Sequence, residues 1–140
     1  VKAAAPDCVF TVIGKGSPGR FRDMSSIGVT GYVPDLHPYL EETAAFVVPL
    51  LTGAAMRVKI LDAWCWALPV VSTSIGAEGL SAVHGENLLI ADDPDAFAAH
   101  LVRILRDGHE ASRIARNGRA TVETLYDWRK VYSAWDSVYS

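Results

Sequence analysis

The stretch AFVVPLLTGAAMRVKILDAWCWALPVVST, residues 45–73, decides the fold, because it holds a strand, a helix and a second strand in succession. Both of its ends are short apolar runs without polar alternation, a pattern typical of strands covered on both faces. The segment of about 54–67 between them has apolar residues three or four apart, the spacing of one buried helical stripe. These residues are Met56, Ile60, Ala63 and Ala67. The stretch therefore predicts a β-α-β unit with parallel strands.

The same alternation of strand and helix continues along the chain. Apolar runs that predict strands occur at 8–14, 27–31, 45–50, 69–73 and 87–91. Helices are predicted at about 54–67, 94–107 and 110–125, and from Trp128 onward. Asp93 is expected to cap the helix at 94–107, with Pro94 at its first position. The predicted fold class is α/β, a doubly wound, mainly parallel sheet with helices on both faces, in which ligands bind beyond the carboxyl ends of the strands.

The amino-acid composition and the net charge limit the classes of protein to which the chain can belong. The chain has 140 residues, 50% of them hydrophobic, and a formal net charge of −3. These values suit one globular domain and disfavour binding to nucleic acid or to an anionic membrane. No apolar run approaches the roughly 20 residues of a membrane span. Cys8 and Cys65 lie in apolar runs, where free thiols behave as buried hydrophobes, so we expect a cytoplasmic protein, although two cysteines also permit a disulfide.

A glycine-rich turn, GKGSPG at 14–19, follows the first predicted strand. Its glycines leave room for backbone amides to approach a phosphate. The spacing matches G-x-G-x-x-G, but a dinucleotide site also needs a helix at the glycines and an acidic residue after the next strand. Here Pro18 interrupts the turn, and the next strand ends on Gly31-Tyr32-Val33. A plain turn and a phosphate contact both stay open.

A second candidate turn, residues 51–63, follows the strand at 45–50 and leads into a helix. Small residues at the helix start leave its first amides open, and these amides with the helix dipole favour an anion. Arg57 and Lys59 lie in the first turns, where a bound phosphate would offset their repulsion from the dipole. The alternative is that both are ordinary solvated side chains, with Lys59 and Asp62 forming a weak surface pair.

Three segments taken together resemble one known family. They are GYVPDLHPYLEETAAFVVPL at 31–50, TGAAMRVKILDAWCWALPVVSTSIGAEGL at 52–80 and HGENLLIADDPDAFAAHLVRILRD at 84–107. In this order they resemble the C-terminal domain of retaining GT-B glycosyltransferases of group 1, also called family 4. The resemblance implies a Rossmann-like half of a GT-B fold that binds a nucleotide-diphosphate sugar. It further implies an enzyme of polysaccharide biosynthesis that transfers a hexose to a glycan or lipid acceptor.

The resemblance assigns roles in donor binding to the turns that follow the first and second predicted strands. In the first turn, Gly14 and Gly16 would lie against the donor diphosphate. The turn at Gly31, Tyr32 and Val33 would meet the nucleotide base, largely through backbone groups.

We further expect the start of the helix after the second candidate turn, Gly53, Ala54 and Ala55, to contact the diphosphate through its open amides. Arg57 and Lys59 would stabilise the charge that grows on the leaving diphosphate, which makes them the candidate catalytic residues.

The remaining donor contacts depart in part from the family pattern. Two glutamates separated by seven intervening residues are common in the family, and their positions fall here on Ala54 and Asp62. Asp62 can accept hydrogen bonds from the ribose hydroxyls, whereas Ala54 cannot bind the sugar as a carboxylate does. Gly76 and Glu78 match a further segment near the donor.

The resemblance also implies that residues 1–140 are one nucleotide-sugar-binding domain of a longer enzyme. An N-terminal acceptor domain and the first strand of this domain would lie outside the sequence, so the isolated chain is expected to be inactive. The last helix, about 128–140, would cross back to the acceptor domain, or alternatively pack on its own sheet. Its aromatic residues are Trp128, Tyr132, Trp135 and Tyr139.

Other motifs favour simpler roles. Asp92-Asp93-Pro94-Asp95 resembles an acidic metal site, but a helix cap accounts for it, and no metal or cofactor is expected besides the nucleotide sugar as substrate. The four histidines lack the spacing of metal ligands. They are His37, His84, His100 and His109. Two alternative functions stay open: half of a GT-B epimerase or a binding-only relative, and a generic NAD-binding Rossmann domain.

Overall fold

The structure is a computed structural model that describes residues 1–15, 24, 26–53, 58–127 and 129. Every predicted strand is present and lies within the apolar run that predicted it. The elements in chain order are β1 (Phe10–Ile13), β2 (Ile27–Gly31), α1 (His37–Glu41), β3 (Phe46–Val48), α2 (Val58–Cys65), β4 (Val70–Ser72), α3 (Ser74–Ala77), β5 (Leu89–Ile90), α4 (Pro94–Arg106) and α5 (Gly108–Leu125). Helices α1 and α3 are not among the predicted elements. The last predicted helix, about 128–140, lies outside the described residues apart from Arg129.

The chain divides into two compact units, Val1–Glu42 and Thr43–Ser140. In the first unit β1 and β2 pair in parallel, and the register shifts after Val12 so that Ile13 pairs with Gly31. The prediction that the strands are covered on both faces is wrong for β1, where Phe10 is 37% exposed. Within the described residues β1 pairs with β2 alone.

The second unit contains a three-stranded parallel sheet in the order β3-β4-β5. All residues of the central strand β4 are buried, as its unbroken hydrophobicity predicts. Side chains from β4, β5, α4 and α5 meet in one core cluster. Its members are Val71, Leu89, Ile104 and Ile114. Because all the strand pairs are parallel and helices alternate with strands, the predicted Rossmann-like α/β class is confirmed.

Helix α4 begins at Pro94 as the sequence predicts, whereas α5 begins at Gly108, before its predicted start at about residue 110. Asp93 caps α4 by accepting hydrogen bonds from the backbone N–H groups of Asp95 and Ala96, at 3.0 and 2.9 Å. In α5, Ile114, Ala115 and Val122 are buried, whereas Leu125, the last residue of the helix, is exposed.

Helix α2 ends at Cys65, before the predicted end at about residue 67, so its end departs from the predicted stripe. Ile60 and Ala63 are fully buried, but Ala67 lies beyond the helix with φ of 51° and is exposed. The Ala67 N–H donates to Trp64 O and the Leu68 N–H to Ala63 O, at 3.0 and 2.9 Å. This pair of bonds is a Schellman motif with alanine at the left-handed position that usually holds glycine.

Among the described residues Trp64 is the largest fully buried side chain, and it joins α2 to α5. Its indole N–H donates to the carbonyl of Asn87 at 3.0 Å. The Asn87 side chain in turn accepts from the N–H of Val83 and donates to Ser81 O, both at 2.8 Å. On the other side the ring packs against Gly118, where a Cβ atom would lie 2.3 Å from Trp64 Cδ1. Gly118 is therefore required by the position of Trp64.

Replacement of Gly118 by alanine is expected to destabilise the protein, although alanine is the better helix former. The new methyl group would overlap the Trp64 ring, and we expect a net loss of about 1–2 kcal/mol in the free energy of unfolding. Urea denaturation followed by circular dichroism measures it. The matched control is Gly108→Ala in the same helix, where a Cβ atom meets nothing within 4 Å. A Gly118→Ala variant as stable as the control would contradict this packing.

Replacement of Ala67 by glycine is expected to stabilise the protein. Glycine removes the steric cost of the left-handed conformation and adds a smaller entropy cost in the unfolded chain, for a net gain of about 0.5–1 kcal/mol. The same denaturation experiment measures it. Ala99→Gly, at an exposed site within α4, should instead lose about 1 kcal/mol. Equal losses at both positions would show that Ala67 is not strained.

Candidate functional site

The first candidate turn of the sequence analysis lies beside the turn that ends β2. The N–H of Gly14 donates to the carbonyl of Gly31 at 2.9 Å, so the exits of β1 and β2 are joined at one edge of the sheet. Both glycines have positive φ, +140° and +73°, which side-chain-bearing residues rarely adopt. The structure thus brings together Gly14, Gly31 and Tyr32, while Gly16 lies outside the described residues. Val33 follows Tyr32 and is half-buried.

This edge also carries a side-chain contact that the sequence analysis did not select. Lys15 Nζ lies 5.2 Å from the centroid of the Tyr32 ring, a cation–π contact. Tyr32 is 69% exposed. The signal in the sequence was a basic residue between the two glycines, but its partner depends on the register of β1 and β2. The turn therefore offers a cation as well as backbone groups.

In the second unit the carboxyl ends of the three strands are held together by polar side chains. Thr73, which follows β4, donates from Oγ1 to Leu50 O after β3 at 2.6 Å and accepts from the N–H of Gly76 at 3.1 Å. Asp92, which follows β5, accepts from the N–H and hydroxyl of Ser74 at 2.8 and 2.9 Å. These bonds fix the three strand exits relative to one another. Sequence reasoning did not select Thr73, whose partners come from a different strand.

Gly76 has a structural reason to be glycine. It is buried at the start of α3, and a Cβ atom there would lie 2.4 Å from Ser72 Oγ and 3.0 Å from Val48 O. The close packing of α3 on the strand exits therefore excludes a side chain. A contact of Gly76 with the donor stays a prediction. Glu78 follows α3 at its C-terminal end and is exposed, so its carboxylate is accessible to solvent.

The second candidate turn is described in part. Gly53 is exposed with φ of +117°, a conformation that again favours glycine. Lys59 and Asp62 both lie on the exposed side of α2, opposite the buried side of Ile60 and Trp64. The surface pair proposed as the alternative for them is not formed within the described chain.

Three further candidate residues of this turn lie outside the described residues. They are Ala54, Ala55 and Arg57. The candidate residues that the structure describes fall in both units. Those in the first unit are Gly14, Gly31, Tyr32 and Val33, and those in the second are Gly53, Lys59, Asp62, Gly76 and Glu78.

The acidic run at 92–95 is used within the protein. Asp93 caps α4 and Asp92 binds Ser74, so the helix-cap interpretation of Asp93 is confirmed. Among the described residues, no group of three or more His, Cys, Asp or Glu side chains is arranged to hold a metal ion. That the function needs no metal stays a prediction.

Two of the histidines are neighbours, although the sequence shows them scattered. The rings of His84 and His100 lie 5.3 Å apart, and His84 Nδ1 accepts from the N–H of Ile90 at 2.9 Å. Burial, then repulsion from His84 and Arg103, lowers the pKa of His100 against the opposing effect of Glu110. This pair supports the end of β5 and is distinct from the candidate turns.

Two further expectations concern the burial of the cysteines and the presence of a membrane-spanning helix. Both Cys8 and Cys65 are free, and the expectation that both are buried is wrong for Cys65, which lies on the exposed side of α2. Over the described ranges, no helix combines the length and the hydropathy that crossing a membrane requires.

Comparison with known proteins places this fold among known structures. The C-terminal domain of a glycosyl transferase group 1 family protein, LpcC from Francisella tularensis, matches with a TM-score of 0.78 and 20% identity over 91% of this chain and 74% of that one. HepE from Anabaena, solved in complex with UDP and glucose, matches with a TM-score of 0.78 and 16% identity over 96% of this chain and 41% of that one. WaaG, a glycosyltransferase involved in lipopolysaccharide biosynthesis, matches with a TM-score of 0.72 and 17% identity over 83% of this chain and 34% of that one. The fold is therefore that of one domain of GT-B glycosyltransferases.

Sequence comparison gives the family. An uncharacterized 44.6 kDa protein in the cps region of Klebsiella pneumoniae is 37% identical over 100 residues, which are 71% of this chain and 26% of that protein. The chain thus spans about a quarter of the length of this relative. The family model described as glycosyl transferases group 1 matches residues 1–107. The chain therefore belongs to the group 1 glycosyltransferases.

Proposed function

We propose that this chain binds a nucleotide-diphosphate sugar, as the donor-binding part of a retaining glycosyltransferase that transfers a hexose to a glycan or lipid acceptor. The single observation that carries the proposal is the Gly14–Gly31 hydrogen bond, which joins two strand exits at the sheet edge where parallel α/β folds bind ligands. Family membership and the UDP complex of HepE, which shares the fold, support the same function.

The first unit would contact the nucleotide base and the diphosphate. With the side chains of Gly14 and Gly16 missing, the backbone can come close to phosphate oxygens. The turn at Gly31, Tyr32 and Val33 would meet the base largely through backbone groups.

The second unit would contact the diphosphate and the ribose. Charge grows on the diphosphate as it leaves, and fixed amides and cations stabilise that charge more in the transition state than in the bound donor. We assign this role to the helix start at Gly53, Ala54 and Ala55 and to Arg57 and Lys59.

Asp62 would accept hydrogen bonds from the ribose diol, since its carboxylate lies on the exposed side of α2. Gly76 and Glu78 would lie near the donor. Because Ala54 has no carboxylate, recognition of the sugar would depend on other groups.

The whole reaction would need more than this chain. We propose that the acceptor is bound by an N-terminal domain of the same enzyme, that the isolated chain has no transferase activity, and that no metal takes part. We also propose that the enzyme works in the cytoplasm on polysaccharide or glycolipid synthesis. The similarity to WaaG and to a protein of a cps region supports this setting.

Titration calorimetry with UDP, GDP, ADP and NAD tests donor binding. We expect one nucleoside diphosphate to bind and NAD not to bind. Arg57→Ala should weaken that binding by about tenfold, since a charged hydrogen bond of about 1.4 kcal/mol is lost. Arg116→Ala removes an exposed cation of α5 and is the matched control, with no change expected. Equal affinities of wild type and Arg57→Ala would remove Arg57 from the site. Binding of NAD alone would favour the generic Rossmann alternative, and binding of none would contradict the proposed function.

A further inference from the structure

Lys15 and Tyr32 occupy equivalent places in the first unit. Each directly follows a glycine with positive φ, Gly14 or Gly31, at the carboxyl end of its strand. The backbone hydrogen bond between these two glycines is 2.9 Å long. Two side chains far apart in sequence therefore leave the sheet side by side, and Lys15 Nζ lies 5.2 Å from the Tyr32 ring centroid.

This contact contributes little to stability. Tyr32 is 69% exposed and Lys15 is exposed as well, so neither side chain removes much apolar surface from water. Cation–π contacts at exposed sites are among the weak interactions of proteins. The contact instead holds the ammonium group of the long, flexible Lys15 side chain at the strand exits.

Lys15 also has no counter-ion in the part of the chain that is described. Of the carboxylates in the same unit, Asp35 lies beside His37, 3.8 Å from its Nδ1. The chain as a whole carries a net charge of −3, so Lys15 is a local positive charge on a protein that is negative overall. A compact ammonium with three N–H donors and no acidic partner is suited to a phosphate from solution.

We propose that Lys15 is a phosphate-binding residue of the donor site and that Tyr32 is a positioning residue that holds its ammonium group at the strand exits. This inference rests on the proposed function. It predicts that Lys15 contacts the phosphates of the ligand and not the base. The affinity contributed by Lys15 should therefore depend on the number of phosphates, which a merely structural role would not cause.

Calorimetric titration with uridine, UMP and UDP, and with the guanosine series, tests the inference. We expect Lys15→Met to weaken binding of the diphosphate by about three- to tenfold and binding of the nucleoside by less than about twofold. Lys15→Arg should restore most of the diphosphate affinity, because it restores the charge. Tyr32→Leu should reproduce the phosphate-selective loss, whereas Tyr32→Phe keeps the ring and should restore most of the diphosphate affinity.

Lys2→Met is the matched control. It removes one positive charge from the same unit at a site where Lys2 Nζ donates to Pro6 O at 2.7 Å, and it should leave all affinities unchanged. The inference is overturned if Lys15→Met binds the diphosphate as wild type does, or if it loses nucleoside and diphosphate affinity equally. In both cases wild type still binds the diphosphate, and the proposed function stands. Failure of the wild-type chain to bind any of UDP, GDP and ADP would overturn the proposed function and this inference with it.

Discussion

The parallel pairing of strands is the constraint on which the rest of the structure depends. Parallel strands end at the same edge of a sheet, so the residues that follow them meet although they are distant in sequence. In the first unit this edge is closed by the hydrogen bond from Gly14 to Gly31, and in the second by the bond from Thr73 to Leu50. Each bond holds two strand exits in a fixed arrangement, which is the condition for preorganised backbone donors.

Helix α2 shows how the fold and the proposed site share one element. Its inner side, with Ile60, Ala63 and Trp64, is fully buried, and Trp64 is fixed by Gly118 and by its hydrogen bond to Asn87. Because an α-helix that buries one side presents the other to solvent, the same packing holds Lys59 and Asp62 outward. The stability of the core and the direction of the proposed ligand contacts therefore have one physical cause.

Local chemistry explains what could be predicted from the sequence. The five strands were found because buried parallel strands are unbroken apolar runs, and the start of α4 because Asp93 and Pro94 act on the backbone beside them. The helices α1 and α3 were missed because five and four residues are too few to show a helical period. The end of α2 was misplaced because alanine, not glycine, takes the left-handed position at Ala67.

Contacts between distant segments explain what could not be predicted. The meeting of Lys15 with Tyr32, and of His84 with His100, depends on strand register and on loop paths that no local pattern encodes. The sequence indicated Gly76 as a residue near the donor, but only the positions of Ser72 and Val48 show that packing requires a glycine there. The motif-bearing turns were found from the sequence, whereas the side chains gathered at them needed the structure.

The ligand is proposed to bind at the strand exits and the adjoining start of α2, and not on α4 or α5. Backbone amide chemical shifts of the isotope-labelled chain, recorded by NMR during titration with a UDP or GDP sugar, test this most directly. The account predicts that the largest changes fall on Gly14, Gly31, Tyr32 and Gly53. Changes confined to α4 and α5, with these four amides unmoved at saturation, would contradict it.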